Sequence, residues 1–167
     1  YMNVAEMADY ATEKRGKAPA YKNKGLMFSA KTPDSTSTVR ECGIRFSNYN
    51  SVTWKWKSER KAWARWNDGN VHGDRATGKQ LTARNVVVMW AKTTQGVRTS
   101  HGQTIEIDLR SSGRVTVLRD GVKIDGTWKG SRNAPPRFFD EAGRQIPLAP
   151  GNTWFQVVPP SVNIVIR

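Results

Sequence analysis

The stretch "RVTVLRDGVKIDGTW", Arg114–Trp128, decides the fold. Val115 and Val117 on one side of Asp120-Gly121, and Val122 and Ile124 on the other, stand at alternate positions. A period of two sends successive side chains to opposite faces of an extended chain. Asp-Gly between two such runs is the signal for a two-residue type I′ turn, because both central residues must take positive φ. The segment is therefore predicted to be a β-hairpin.

The same period extends in both directions. "NVVVMW" (85–90) is almost continuously apolar, as expected of a central strand buried on both faces. "TIEIDL" (104–109) alternates. "IRFSNYNSVTWKWK" (44–57) places Ile44, Phe46, Val52, Trp54 and Trp56 at strand spacing, and "AWARW" (62–66) follows after "SERK", which predicts a hairpin lined by tryptophans. "NTWFQVV" and "VNIVIR" end the chain on either side of Pro159-Pro160, which cannot lie inside a central strand.

Only the opening departs from this pattern. In "YMNVAEMADYATEKRGK", Val4, Met7, Ala8 and Ala11 recur at helical spacing. Asn3 and Glu6 form a capping-box-like pair, and Gly16 supplies the stop. Residues 17–43 are rich in Pro, Gly, Lys, Ser and Thr, and "KTPDSTST" within them reads as an exposed or partly disordered linker. The fold class expected is mainly β (α+β): an antiparallel sandwich or partly open barrel of about eight to ten short strands, with one N-terminal helix.

Charge limits the partners. The 167 residues, enough for one domain, carry 27 Lys+Arg against 14 Asp+Glu, a net +13 with pI ≈ 10.3. The excess is spread along the chain rather than gathered in a basic tail. Such a field favours anionic partners, whether nucleic acid, wall polymer or anionic membrane surface. Cys42 is the sole cysteine, which excludes an internal disulfide and a thiolate zinc cage and leaves it as a packed small residue. No segment is apolar for the length of a membrane span. The chain opens at Tyr1 rather than Met, as expected of a processed chain or a fragment.

No standard catalytic signature is present: the sequence holds neither G-x-S-x-G nor H-E-x-x-H. "TGK" (77–79) lacks the glycine spacing and the following hydroxyl of a phosphate-binding loop. The weak catalytic candidates are His72, Asp74 and Asp140. His72 and Asp74 are two residues apart and would share a face of an extended segment, where a His and a carboxylate could act as a general base. The competing reading makes Asp74 the organiser of a polar turn in "DRATGKQLTA". His101 is the other histidine, so a metal site would need carboxylates from distant strands such as Glu106, Asp108 or Asp140. No metal or cofactor is expected.

The binding candidates are Trp66, Trp128, Lys129, Arg132 and Arg137. The last four lie in "TWKGSRNAPPRFFD" (127–140), where Pro135-Pro136 fixes φ and would present the basic residues on a stiff loop. Asp140 could orient one of these arginines through a bidentate pair, leaving another cation for phosphate or carboxylate. Trp63 and Trp66 are three apart and face opposite sides of one strand, so at least one could reach a surface and stack on a sugar or base. The alternative for the tryptophans as a group is that they fill the core.

Four segments, "FSNYNSVTWKW", "GDRATGKQLTARNVVV", "IEIDLRSSGRVTVLRDGVKIDGTWKGS" and "RFFDEAGRQIPLAPGNTWFQVVP", resemble in order the C-terminal domain of the YerB-like lipoproteins, from Phe46 to Pro159. That family is known chiefly as a domain of unknown function. The resemblance implies an extracytoplasmic bacterial location, tethered by a lipid or released, and brings no agreed reaction or catalytic residues. It divides the chain into residues 1–45, similar to the tail of the family's preceding domain, and a β-rich domain at 46–167. The function expected is non-catalytic binding of an anionic polymer (wall polymer, polysaccharide or nucleic acid) or of a protein partner. The alternatives are a hydrolase of an anionic envelope or nucleic-acid substrate, with Arg137 as clamp, and a scaffold that packs on a preceding domain.

Overall fold

The computed structural model describes residues 4–16, 25–33, 37–100 and 102–167. Asn3 and His101, and with them the expected helix cap and the second histidine, lie outside the described residues, as does the middle of "KTPDSTST". Helix α1 (Val4–Arg15) ends at Gly16, whose φ of 72° supplies the left-handed stop that its sequence predicts.

Two sheets form the body. The first runs β13 (Ile164–Ile166), β1 (Glu41–Ser47), β2 (Asn50–Lys57), β3 (Ala62–Asn67) and β4 (Asn70–Val71), with β5 (Thr82–Ala83) also pairing β3. It curls into a half-barrel. The second runs β11 (Ala134–Phe139), β10 (Val122–Ser131), β9 (Ser112–Arg119), β6 (Asn85–Trp90) and β12 (Thr153–Val158). A two-stranded ribbon, β7 (Thr93–Thr99) with β8 (Gly102–Ile107), stands apart from both. The thirteen strands among the described residues exceed the eight to ten expected: β4 and β5 are two residues long, below the length at which alternation is readable, and β7 and β11 lack a clear apolar alternation. Strand β1 begins at Glu41, ahead of the boundary expected at residue 46.

The deciding hairpin is β9–β10. Asp120 and Gly121 have φ of 50° and 75°, the two positive values that a type I′ turn demands. Strand β6 is buried along its whole length because it serves two cores. Val86, Val88 and Trp90 face the half-barrel, against Cys42, Val52, Trp54 and Trp63. Val87 and Met89 face the other way, against Trp128, Phe138, Ile146 and Leu148. That second core is covered by residues 25–29, with Ser29 N donating to Leu148 O at 2.9 Å and Leu148 N to Met27 O at 2.8 Å. Among the described strands, pairing is antiparallel except between β6 and β12, which run parallel, as does the isolated Phe28–Leu148 bridge.

Two expectations change. "TWKGSRNAPPRFFD" is no stiff loop: its residues form β10, a turn at Arg132-Asn133, and β11. Prolines lack the amide that a ladder needs, and they are tolerated here because β11 is the edge strand of its sheet. "TIEIDL" does alternate as a strand should, but β8 is exposed on both faces, with Ile105 70% and Ile107 45% accessible.

Candidate ligand-binding cleft

Alternation along β9 puts Arg114, Thr116 and Leu118 on the face that looks toward the half-barrel. Leu118 is in the core, whereas Arg114 emerges from beneath it. Across the ladder, Leu118 opposes Lys123, Thr116 opposes Asp125, and Arg114 opposes Thr127. Edge strand β13 of the first sheet supplies the facing wall through Ile164 and Ile166. The gap between the two sheets is an open cleft of about 530 Å³.

The polar floor of this cleft is ordered. Thr116 Oγ1 donates to Asp125 Oδ1 at 2.6 Å, and Lys123 Nζ meets Asp125 Oδ2 at 2.5 Å. The Arg114 guanidinium lies 4.5 Å from the centre of the Trp90 ring, a cation–π arrangement. Trp90 is itself fixed by its indole N–H, which donates to Val162 O at 2.6 Å. Glu141 is the second carboxylate at the cleft, so its two acids and two bases balance.

The balance ends two residues beyond Thr127 along β10. Lys129 and Arg137 stand directly opposite each other on β10 and β11. Both cations approach the same ring, Phe139, at 5.3 Å and 5.8 Å from its centroid. Like charges placed opposite on a ladder destabilise it. Neither has a carboxylate partner among the described residues. Arg132 occupies the exposed turn of the same hairpin. The structure therefore gathers three of the predicted binding residues, Lys129, Arg132 and Arg137, on one edge.

The remaining candidates lie elsewhere. Trp128 points to the opposite face, is fully buried, and spends its indole N–H on Trp90 O at 2.8 Å. Trp66 is half-buried on the other sheet, where Lys55 and Lys57 lie 5.1 and 5.7 Å from its ring. Trp63, three residues earlier, is wholly buried, so the pair do face opposite ways.

His72, Asp74 and Asp140 are not assembled. Asp74 accepts the Thr77 hydroxyl at 2.7 Å and the Ala76 amide at 3.2 Å, which closes its own turn. Those bonds, the Thr77 hydroxyl foremost, hold its carboxyl below the ordinary range. Asp140 accepts the Arg144 amide at 2.8 Å and Arg144 Nε at 2.9 Å. The arginine it orients is thus Arg144, not Arg132 or Arg137. The amide bond from Arg144 is the main reason its carboxyl also sits low. Asp140 lines two clefts beside β10, and His72 lines neither. Among the described residues, no three of His, Cys, Asp and Glu gather as a metal site requires. Cys42 is buried in the first core, and burial pushes its thiol up to about 12.

Sequence reading missed Arg114, Lys123, Asp125 and Glu141. Alternation alone could have put the first three on one face of the predicted hairpin, but nothing local brings β13 over them.

The family model described as "Protein of unknown function (DUF3048) C-terminal domain" matches residues 42–155. A protein of Bacillus subtilis (strain 168) named "Putative lipoprotein YerB" is 27% identical over 154 residues, covering 89% of this chain and 44% of that protein. The crystal structure of YerB protein from Bacillus subtilis shares the fold, with a TM-score of 0.69 at 23% identity over 96% of this chain and 53% of that one. The chain spans about half the length of these relatives.

Proposed function

Because the chain belongs to the DUF3048 family, through that family's C-terminal domain, we propose that it is an extracytoplasmic module of a YerB-like cell-envelope lipoprotein. We infer that it holds an anionic polymer without chemically altering it. The observation that carries this reading is the Lys129–Arg137 pair, two cations set opposite each other over Phe139, with no carboxylate paired to either among the described residues. A ladder that keeps such a pair gains from an anion laid along it, and the ring offers a stacking surface beside the charge. The net charge of +13 draws polyanions to the whole surface, and the hairpin edge supplies the local grip.

Binding of wall polysaccharide, teichoic acid, heparin and DNA across a salt series tests the reading. Affinity should fall as salt rises. The Lys129→Ala/Arg137→Ala protein should bind more weakly, with a DNA salt slope shallower by about 0.9 for each phosphate it no longer neutralises. Identical curves for the wild-type and doubly substituted proteins, or no binding to any of the four polymers, would overturn it.

A second reading rests on α1, where Met7 and Tyr10 are 47% and 63% exposed. Since the relatives are about twice as long as this chain, the helix is a surface on which a preceding domain can pack. Added in trans, the other half of a full-length relative should protect Met7 from oxidation if it does so. Unchanged oxidation would dismiss this reading.

A further inference from the structure

Strand β3 turns Trp63 and Arg65 to the inside of the half-barrel, although arginine keeps its charge at any ordinary pH. Arg65 is only 7% exposed. Its guanidinium lies 5.0 Å from the Trp154 ring centre and 5.9 Å from that of Trp54. With the Gln156 amide oriented by its hydrogen-bonding network, both indole N–H groups donate to the Gln156 oxygen, at 3.2 Å from Trp154 and 3.1 Å from Trp54. The two indoles are therefore held against each other, 5.5 Å between ring centres, and neither offers the arginine an acceptor. Nε and Nη1 of Arg65, and Nδ1 of His72, are buried and find no partner among the described residues. His72 is next to Arg65 across the ladder, its amide donating to Arg65 O at 3.0 Å.

Asp68 is the acid whose charge Arg65 feels. Its oxygens already accept from Ser51 N at 2.6 Å, Ser51 Oγ at 3.2 Å and Asn67 Nδ2 at 2.7 Å. Desolvation lowers the Arg65 pKa and Asp68 only partly restores it. Cation–π contact with two indoles that pack on each other offsets some of the cost of burying the cation, but it offers no acceptor in the guanidinium plane. A buried guanidinium needs such acceptors, and the partner matched to its planar donor fork is a carboxylate or phosphate.

We propose that Arg65 is the floor of a small-oxyanion site, backed by the packed Trp54–Trp154 pair and bordered by His72, which takes a carboxylate or phosphate group. Its chemistry is donor-only and cationic, so it selects an anion that accepts hydrogen bonds in a plane. Arg65 lies on β3, whereas Lys129 and Arg137 lie on the other sheet, so this site stands independently of polymer binding.

The test titrates the protein with sodium acetate and, separately, inorganic phosphate at constant ionic strength, following tryptophan fluorescence and Tm. Wild type should show a saturable fluorescence change and a rise in Tm with at least one of the two anions. Which anion acts tells a carboxylate site from a phosphate site. Arg65→Met, similar in length and uncharged, should lose both responses. His72→Phe, which removes the Nδ1 atom and keeps the ring, should raise the half-saturating concentration roughly tenfold, the size of one charge-assisted hydrogen bond. If Arg65→Met does not fold, His72→Phe decides. A wild type with no saturable response overturns the proposal, as does a response that Arg65→Met shares or one that His72→Phe leaves unchanged.

Discussion

Arg119 grips the carboxylate of its own sequence neighbour, Asp120, through Nε at 2.8 Å and Nη2 at 2.7 Å. The side chain is fully buried; Nη1 donates to Pro147 O at 2.9 Å, and the Nη2 that sits beside Asp120 also donates to Ser29 O at 2.9 Å and Lys31 O at 3.0 Å. One guanidinium therefore ties the β9–β10 turn to both segments that cover the second core. Arg119→Met should destabilise the protein by about 2–4 kcal/mol, because it removes a buried ion pair and leaves Asp120 with Arg84 alone and the Pro147 and Ser29 carbonyls without their donor. Urea unfolding of the two proteins measures this. Arg119→Lys should recover little, since an ammonium cannot span the same fork.

Gly113 matters for a different reason. A Cβ there would meet Trp90 O and Trp128 Nε1, the acceptor and donor of a 2.8 Å hydrogen bond. Gly113→Ala should cost about 1–3 kcal/mol through overpacking and shift tryptophan emission to the red as Trp128 is displaced. An unchanged Tm and spectrum would show that the strand yields without effect.

Cys42 links stability to alkaline pH. Burial raises its thiol from 9.0 to about 12, so the folded protein holds the proton over a range where the unfolded chain releases it. The resulting stability is complete below pH 9.0 and is lost as pH climbs toward about 12, at no more than about 1.4 kcal/mol per unit. Unfolding of wild type and Cys42→Ala between pH 8 and 11 should give a steeper decline for wild type. Native Cys42 should also resist thiol reagents until the protein unfolds.

Asp140 acts at the other end of the scale. Its folded pKa is depressed by the Arg144 amide and side chain, so its contribution exists above the unfolded value of 3.8 and disappears as pH falls through the folded one. Asp140→Asn should be less stable than wild type at neutral pH, and the gap should close below about pH 4. Thermal melts from pH 7 to 2 measure it. A gap that persists into acid would place the effect of Asp140 in packing rather than charge.

These relationships differ in how far they can be read in advance. The Asp120-Gly121 turn, the doubly buried β6 and the tryptophan hairpin follow from local rules of φ, period and apolar content, and the structure has them. The Pro135-Pro136 segment reads as a loop because edge position, which excuses a missing amide, is set by the whole sheet. The cleft is only partly legible for the same kind of reason: Arg114 and Asp125 share the predicted hairpin, but Glu141 and Ile164 come from two other parts of the chain. Arg65 does leave a trace. In "AWARW" it occupies the same parity as Trp63, and an arginine at an inward position is itself a question about what it meets inside.

The parallel pairing of β12 with β6 sets the order of assembly. Thr153 to Val158 lie against Asn85 to Trp90, so the central strand waits for a partner that follows it 68 residues later. Separations of that size slow folding, since loop closure precedes any reward from pairing. Until then "NVVVMW" has one open edge, uncharged and rich in β-branched residues, the kind of template on which a second chain can pair. A chain cut before Thr153 should therefore precipitate rather than fold to a smaller domain. The tail that looks like a closing flourish is what keeps the middle of the molecule from finding the wrong neighbour.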